Sequence, residues 1–234
     1  MRSGMGTAAN RPAPVWFVTG TDTGVGKTVL AALLVRRLRD RGIEARAVKP
    51  LASGGRDDAR ALWEAQGREG TLDEVNPWHF RSALTPLVAA RREGRQVALR
   101  DVVGFVERKR AGCEVLVVEG AGGLLSPLGH GFDSRTLIRE LDARPLVVAA
   151  NRLGCLSQAL MVMEGLGEAG EKAPLILMNP RRPGLAARTN VDVLRERFGT
   201  GRVVVIPWLS GGWRAAWKGA WVAALDAWSG SGRA

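Results

Sequence analysis

The stretch Gly20-Thr21-Asp22-Thr23-Gly24-Val25-Gly26-Lys27-Thr28 decides how the rest of the chain is read. It follows the apolar run 15–19 and opens a segment, 27–39, in which Ala31, Leu34, Val35 and Leu38 share one helical face. A glycine-rich turn between a buried strand and a helix start is the setting of a P-loop. Glycines let successive backbone N–H groups converge on phosphate oxygens, and the helix N-terminus adds a favourable dipole. Gly24, Val25 and Gly26 are therefore expected to cradle the phosphates of a nucleotide. Lys27 would neutralise the β and γ phosphates, and Thr28 would place its hydroxyl on Mg2+. The strict spacing puts a glycine where Thr21 stands, so the first glycine lies one residue further upstream.

Outward from the loop, further aliphatic runs at 45–49, 114–118, 145–150, 174–178 and 202–206 read as buried strands. Helical periodicity returns at 101–109 and 156–169. Strand–helix alternation of this kind predicts an α/β fold, a P-loop NTPase-like, mostly parallel sheet with helices on both faces. Neither an internal repeat nor a low-complexity linker interrupts it. A single domain over 15–234 is expected, preceded by a frayed leader at 1–14, rich in small residues and proline.

Composition narrows the classes of function. No apolar run approaches the roughly 20 residues that span a bilayer. The only cysteines, Cys113 and Cys155, lie far apart, with His79 and His130 as the only histidines, so no familiar zinc spacing exists. A reducing, cytoplasmic setting is expected. The net charge of +11 comes mostly from dispersed arginines such as Arg36, Arg37, Arg39, Arg41, Arg91 and Arg92. It reads as a solvated surface, with attraction of anionic substrates or of nucleic acid as the alternatives. Near the C-terminus, Trp213, Trp217, Trp221, Leu225 and Trp228 follow helical spacing. That stripe packs against the body or a second subunit, or else stacks on a nucleotide.

A phosphate cradle alone fixes no reaction. The second strand ends in Lys49-Pro50-Leu51-Ala52-Ser53-Gly54, where proline stops the strand and glycine frees a loop. Lys49 and Ser53 then point to the carboxyl edge of the sheet, where open α/β folds bind ligands. A solvated strand-end lysine is the other reading of Lys49. The third strand runs into Val117-Val118-Glu119-Gly120-Ala121-Gly122-Gly123. Glu119, emerging beside the P-loop, suits a second Mg2+ ligand, with a helix cap or buried ion pair as the alternative. Asp57 suits an N-cap for the next helix, which leaves Asp58 free to face the metal.

Taken in order and spacing, the P-loop, Lys-Pro-Leu-Ala-Ser-Gly and Val-Glu-Gly-Ala-Gly-Gly resemble the dethiobiotin synthetase family. Val75-Asn76-Pro77, Thr85-Pro86, Leu153-Gly154-Cys155, Asn179 and Ile206-Pro207-Trp208-Leu209 extend the likeness across 15–209. The displaced first glycine is itself a feature of that family. Gly24 stands where some relatives carry a glutamate, so any role of that carboxylate is missing.

The resemblance implies an ATP- and Mg2+-dependent ligase of biotin biosynthesis, closing a cyclic urea from 7,8-diaminononanoate and CO2 through an N-carbamate and a carbamic-phosphoric anhydride. It implies catalytic roles for Lys27, Lys49, Thr23 and Ser53. It also implies Mg2+ held by Thr28, Asp58 and Glu119, and a nucleotide base read by Asn179 beside Pro207. Substrate contacts are expected at Ser53, Gly120 and the helix start formed by Gly154, Cys155, Leu156 and Ser157, completed across a homodimer interface. Cys155 would pack there rather than act as a nucleophile. Neither a specific nucleic acid nor a membrane partner is implied. Two rivals share the loop. One is a related ATP-dependent amide ligase, which normally carries a glutaminase domain too large for this chain. The other is a partition or septum-positioning ATPase binding DNA or membrane, which usually has a second lysine inside the P-loop, where 22–24 holds none.

Overall fold

The structure, a computed structural model, describes residues 12–214 together with Val222, Ala223, Leu225 and Asp226. The leader's first eleven positions and Trp217, Trp221 and Trp228 of the tryptophan stripe lie outside the described residues.

Six parallel strands build the main sheet in the order β2-β5-β1-β6-β7-β8. They are β1 (Val15–Gly20), β2 (Ala45–Val48), β5 (Val115–Glu119), β6 (Arg144–Ala150), β7 (Leu175–Met178) and β8 (Val203–Ile206). Each coincides with a run predicted from sequence to within a residue or two. Their near-continuous hydrophobicity has a physical cause, since parallel strands bury both faces. In β1, Val15 and Phe17 enter one core layer while Trp16 and Val18 enter the other.

Helices cover both layers. On one side lie α1 (Lys27–Asp40) and α2 (Asp57–Ala65), which bury Leu30, Leu33, Leu34 and Leu62. On the other lie α4 (Pro86–Arg92), α5 (Leu99–Arg110), α6 (Ser134–Glu140), α7 (Cys155–Leu166) and α9 (Leu185–Phe198), burying Phe105, Leu137, Met163 and Leu194 among others. The expected helix over 156–169 is in fact two. Gly167, at φ 61° and ψ −137°, ends α7, and α8 (Glu168–Lys172) starts anew.

Two corrections concern the segment after β2. The loop expected beyond Pro50 is a short strand, β3 (Leu51–Ser53), paired in parallel with β4 (Trp78–Phe80). The turn between them is held by α3 (Leu72–Val75), which carries a capping box between Thr71 and Glu74. Asp57 is not the N-cap of α2 either. Arg56 occupies that position without a side-chain cap, and Asp57 pairs with Arg60 at 3.0 Å. Arg56 instead donates to the backbone oxygens of Leu72 and Asn76, clamping the next turn in place.

Of the tryptophan stripe, Trp213 and buried Leu225 pack on the layer of α1, as the packing reading expects. Among the described residues no helix is long and apolar enough to cross a membrane.

Candidate active site

The carboxyl ends of β1, β2 and β5 meet at one edge of the sheet, and a cavity of about 570 Å³ opens there. Thr23, Gly24, Gly26, Lys27, Thr28, Lys49, Ser53, Asp58 and Glu119 all line it. These residues come from four separate segments, and the fold alone brings them together.

The P-loop has the backbone its glycines allow. Gly26 caps α1 at φ 104°, a conformation L side chains rarely adopt. A Cβ there would also sit 3.0 Å from Met178 Cγ. Lys27 folds back over the loop and donates to Asp22 O at 2.7 Å. It is 6% exposed. Burial, and next the ammonium of Lys49, push its pKa down to about 8.

Opposite stands a charge cluster. Lys49, for which a solvated strand end was the other reading, is 5% exposed, and Glu119 is 1% exposed. The Lys49 ammonium donates to Glu119 Oε1 at 2.6 Å and pairs with Asp58 Oδ2 at 2.9 Å. Burial works against this ammonium most strongly, yet Glu119 and then Asp58 outweigh it and hold Lys49 above the usual lysine range. Burial likewise pushes the Asp58 carboxyl up, but Lys49 outweighs it and the group stays below its ordinary range. Lys49 owes its position to its backbone. Its N–H donates to Val75 O at 3.0 Å, and Asn76 Nδ2 donates to its carbonyl at 2.8 Å.

Glu119 forms the buried ion pair that was one of the readings left open for it. Its Oε1 accepts from Lys49 and from the Thr28 hydroxyl at 2.7 Å. Its Oε2 is buried with no hydrogen-bond partner. A buried carboxylate oxygen without a partner is costly unless a cation completes it. The donor set around it, one hydroxyl and two carboxylates, is hard oxygen throughout, which suits Mg2+ completed by water and phosphate oxygens. The residues present therefore fit the metal.

Ser53 lines the cavity wall, and its hydroxyl donates to Leu84 O. Leu84, Thr85, Pro86 and Ser126 complete that wall. Ser126, whose Oγ accepts from Gly123 N–H at 2.9 Å, carried no signal in the sequence. Gly120 does not line the cavity. It lies buried beneath it, where a Cβ would stand 2.9 Å from both Phe17 and Ser134 Oγ. Gly154, Cys155, Leu156 and Ser157 form the first turn of α7, outside the lining. Gly154 and Ser157 are exposed, whereas Cys155 is buried, with burial pushing its thiol pKa up, as a packing residue requires.

A second cleft, of about 330 Å³, adjoins the first across the P-loop. Gly24, Val25 and Gly26 form one side, and Asn179, Pro207, Met178 and Trp208 form the other. It suits the flat, apolar base of a nucleotide whose phosphates lie in the main cavity. Asn151, on its edge, was missed in the sequence; it follows a buried strand just as Lys49 does, and that position was the available signal.

The chain is similar to known proteins over most of its length. Residues 15–211 match the family described as AAA domain. The ATP-dependent dethiobiotin synthetase of Akkermansia muciniphila is 40% identical over 164 residues, 70% of this chain and 77% of that protein. The enzyme of the same name from Aromatoleum aromaticum is 34% identical over 205 residues, 84% of this chain and 91% of that protein. That of Anaeromyxobacter dehalogenans strain 2CP-C is 41% identical over 171 residues, 71% and 77% respectively.

Proposed function

Since the chain belongs to the ATP-dependent dethiobiotin synthetase family, a ligase family of biotin biosynthesis, we propose that it joins 7,8-diaminononanoate and CO2 into the cyclic urea dethiobiotin. The observation that carries this reading is the second buried lysine, Lys49, facing the same cavity as the P-loop Lys27. Phosphate binding alone accounts for Lys27. A further cation, held in place by Glu119 and Asp58, supports chemistry on an anionic acceptor.

One amine of the substrate attacks CO2, loses a proton and becomes a carbamate. A carbamate oxygen takes the γ-phosphoryl group of ATP, releasing ADP and forming a mixed anhydride. The second amine then attacks the carbonyl carbon, closing the ring and expelling phosphate. Lys27 and Lys49 stabilise the charge on the phosphoryl and carbamate oxygens, from fixed positions that need no rearrangement. Thr23 and Ser53 offer hydroxyls to the reacting groups. Asp58, Glu119 and Thr28 would hold Mg2+, which when bound adds positive charge beside the phosphates.

The base occupies the cleft of Asn179 and Pro207. The exposed amides at Gly154 and Ser157 suit the far carboxylate of the substrate, presented across the interface of a homodimer. The test is phosphate release from ATP, Mg2+ and bicarbonate with and without the diamine. Release that requires the diamine and yields dethiobiotin is expected. Release indifferent to the diamine would overturn the proposal.

A further inference from the structure

Behind the nucleotide-base cleft lies a chain of buried amides that the reaction itself does not use. Asn151 is 1% exposed and Asn190 5%. Both hydrogens of Asn151 Nδ2 are committed, one to Ala187 O at 2.7 Å and one to Asn179 Oδ1 at 2.7 Å. Asn151 Oδ1 accepts from Asn190 Nδ2 at 3.0 Å, and Asn190 Nδ2 also donates to Arg152 O at 3.1 Å and faces Cys155 Sγ at 3.3 Å.

The orientation of these amides is fixed by chemistry rather than by a choice between similar atoms. A backbone carbonyl can only accept. Ala187 O therefore forces Asn151 to present its nitrogen on that side, and Arg152 O does the same for Asn190. With Asn151 donating, the atom of Asn179 that meets it must be oxygen. The Asn179 nitrogen is then left for the cleft, which Asn179 lines together with Pro207 and Trp208. Its backbone is pinned as well, its N–H donating to Ile206 O at 2.9 Å.

We propose that Asn151 is a positioning residue that turns the Asn179 amide donor-side toward the nucleobase, so that the cleft reads the acceptor N7 of a purine. This rests on the reading of Asn179 as the base contact. Adenine offers N7 as an acceptor on its outer edge, and a pyrimidine has no counterpart at that place. A freely rotating asparagine would present oxygen or nitrogen alike and lose about half of that preference. Asn151 stands at the edge of the cleft, but its amide hydrogens and its oxygen are committed to Asn179, Ala187 and Asn190, so it acts through Asn179.

The test compares binding of ATP with binding of 7-deaza-ATP, which has carbon in place of N7, on each protein preparation. Any loss of folded protein then cancels in the ratio. The native protein is expected to bind 7-deaza-ATP about fivefold more weakly, the worth of one hydrogen bond. In Asn151→Ala the Asn179 amide has two equal orientations of which one donates, so ATP binding should weaken about twofold with 7-deaza-ATP binding unchanged, and the ratio should fall to about 2.5. Should Asn151→Ala fail to fold, Asn179→Asp keeps the acceptor toward Asn151 but also turns an acceptor to the cleft, and 7-deaza-ATP should then bind at least as well as ATP. A native ratio of one, or ATP still preferred by Asn179→Asp, would overturn the N7 reading and the proposal with it. A ratio preserved in Asn151→Ala would overturn the orienting role. Formation of dethiobiotin at saturating ATP is measured separately, and its failure would refute the reaction while leaving this ratio intact.

Discussion

Replacing Lys49 with methionine removes one half of a buried ion pair and leaves Glu119, 1% exposed, without its cation. The cost can be worked from the surviving carboxylate. Removing one partner of a buried pair leaves an uncompensated charge and costs roughly 3–5 kcal/mol. For a domain of this size that lowers the unfolding midpoint by about 6–20 °C.

Changing Glu119 to glutamine as well removes the stranded charge, and the double variant should recover most of the loss. The assay is urea unfolding in metal-free buffer for Lys49→Met, Glu119→Gln and the pair. A Lys49→Met deficit below about 1 kcal/mol, or one that Glu119→Gln does not relieve, would refute the buried-pair argument. Dethiobiotin formation should be absent from every variant lacking Lys49.

Three further outcomes are expected. Lys27 rests at about 8 in the ligand-free site, and a triphosphate favours its ammonium, so ATP should bind with proton uptake above that pH and weaken by up to about tenfold per unit; calorimetry in buffers of different ionisation heat checks this, and a flat profile from pH 7 to 10 contradicts it. Gly26→Ala forces a side chain into φ 104° against Met178 and should cost roughly 1–2 kcal/mol and most ATP binding. Gly42→Ala, at φ 76° in open space, is the control: a similar loss of stability with ATP titrations unchanged. Glu119→Gln should raise the Mg2+ needed for half-maximal turnover by about tenfold or more, as a metal titration would reveal, since it neutralises the oxygen that has no other partner.

What could be read in the sequence depended on how local its cause was. The six main strands were legible because burial on both faces leaves unbroken apolar runs such as Val15–Gly20. The P-loop was legible because its conformation is enforced by its own glycines. The pairing of Leu51–Ser53 with Trp78–Phe80 was not, because each strand has three residues and its partner lies more than twenty positions away. Lys49 was legible as a lysine at the ligand edge of the sheet, but its own residues left a solvated strand end open until the fold brought Glu119 and Asp58 to it. The break at Gly167 was hidden by apolar periodicity continuing across it. Asn151 went unnoticed because its significance lies in which atom of Asn179 it meets, a property of three elements at once.

The main cavity sets Lys27 and Lys49 against Asp58 and Glu119, two charges of each sign, so before a ligand arrives its own field nearly cancels. Such a cavity exerts little pull at a distance, whereas the chain as a whole carries +11, with Arg91, Arg92, Arg152, Arg181 and Arg182 among its exposed charges. Capture and retention of a nucleotide are thereby separated. Arrival is governed by outer charges that salt screens over about 10 Å at moderate ionic strength, and residence by paired groups that salt barely reaches. The arginine-rich surface acts on how often a nucleotide finds the site, and the balanced interior on how long it stays.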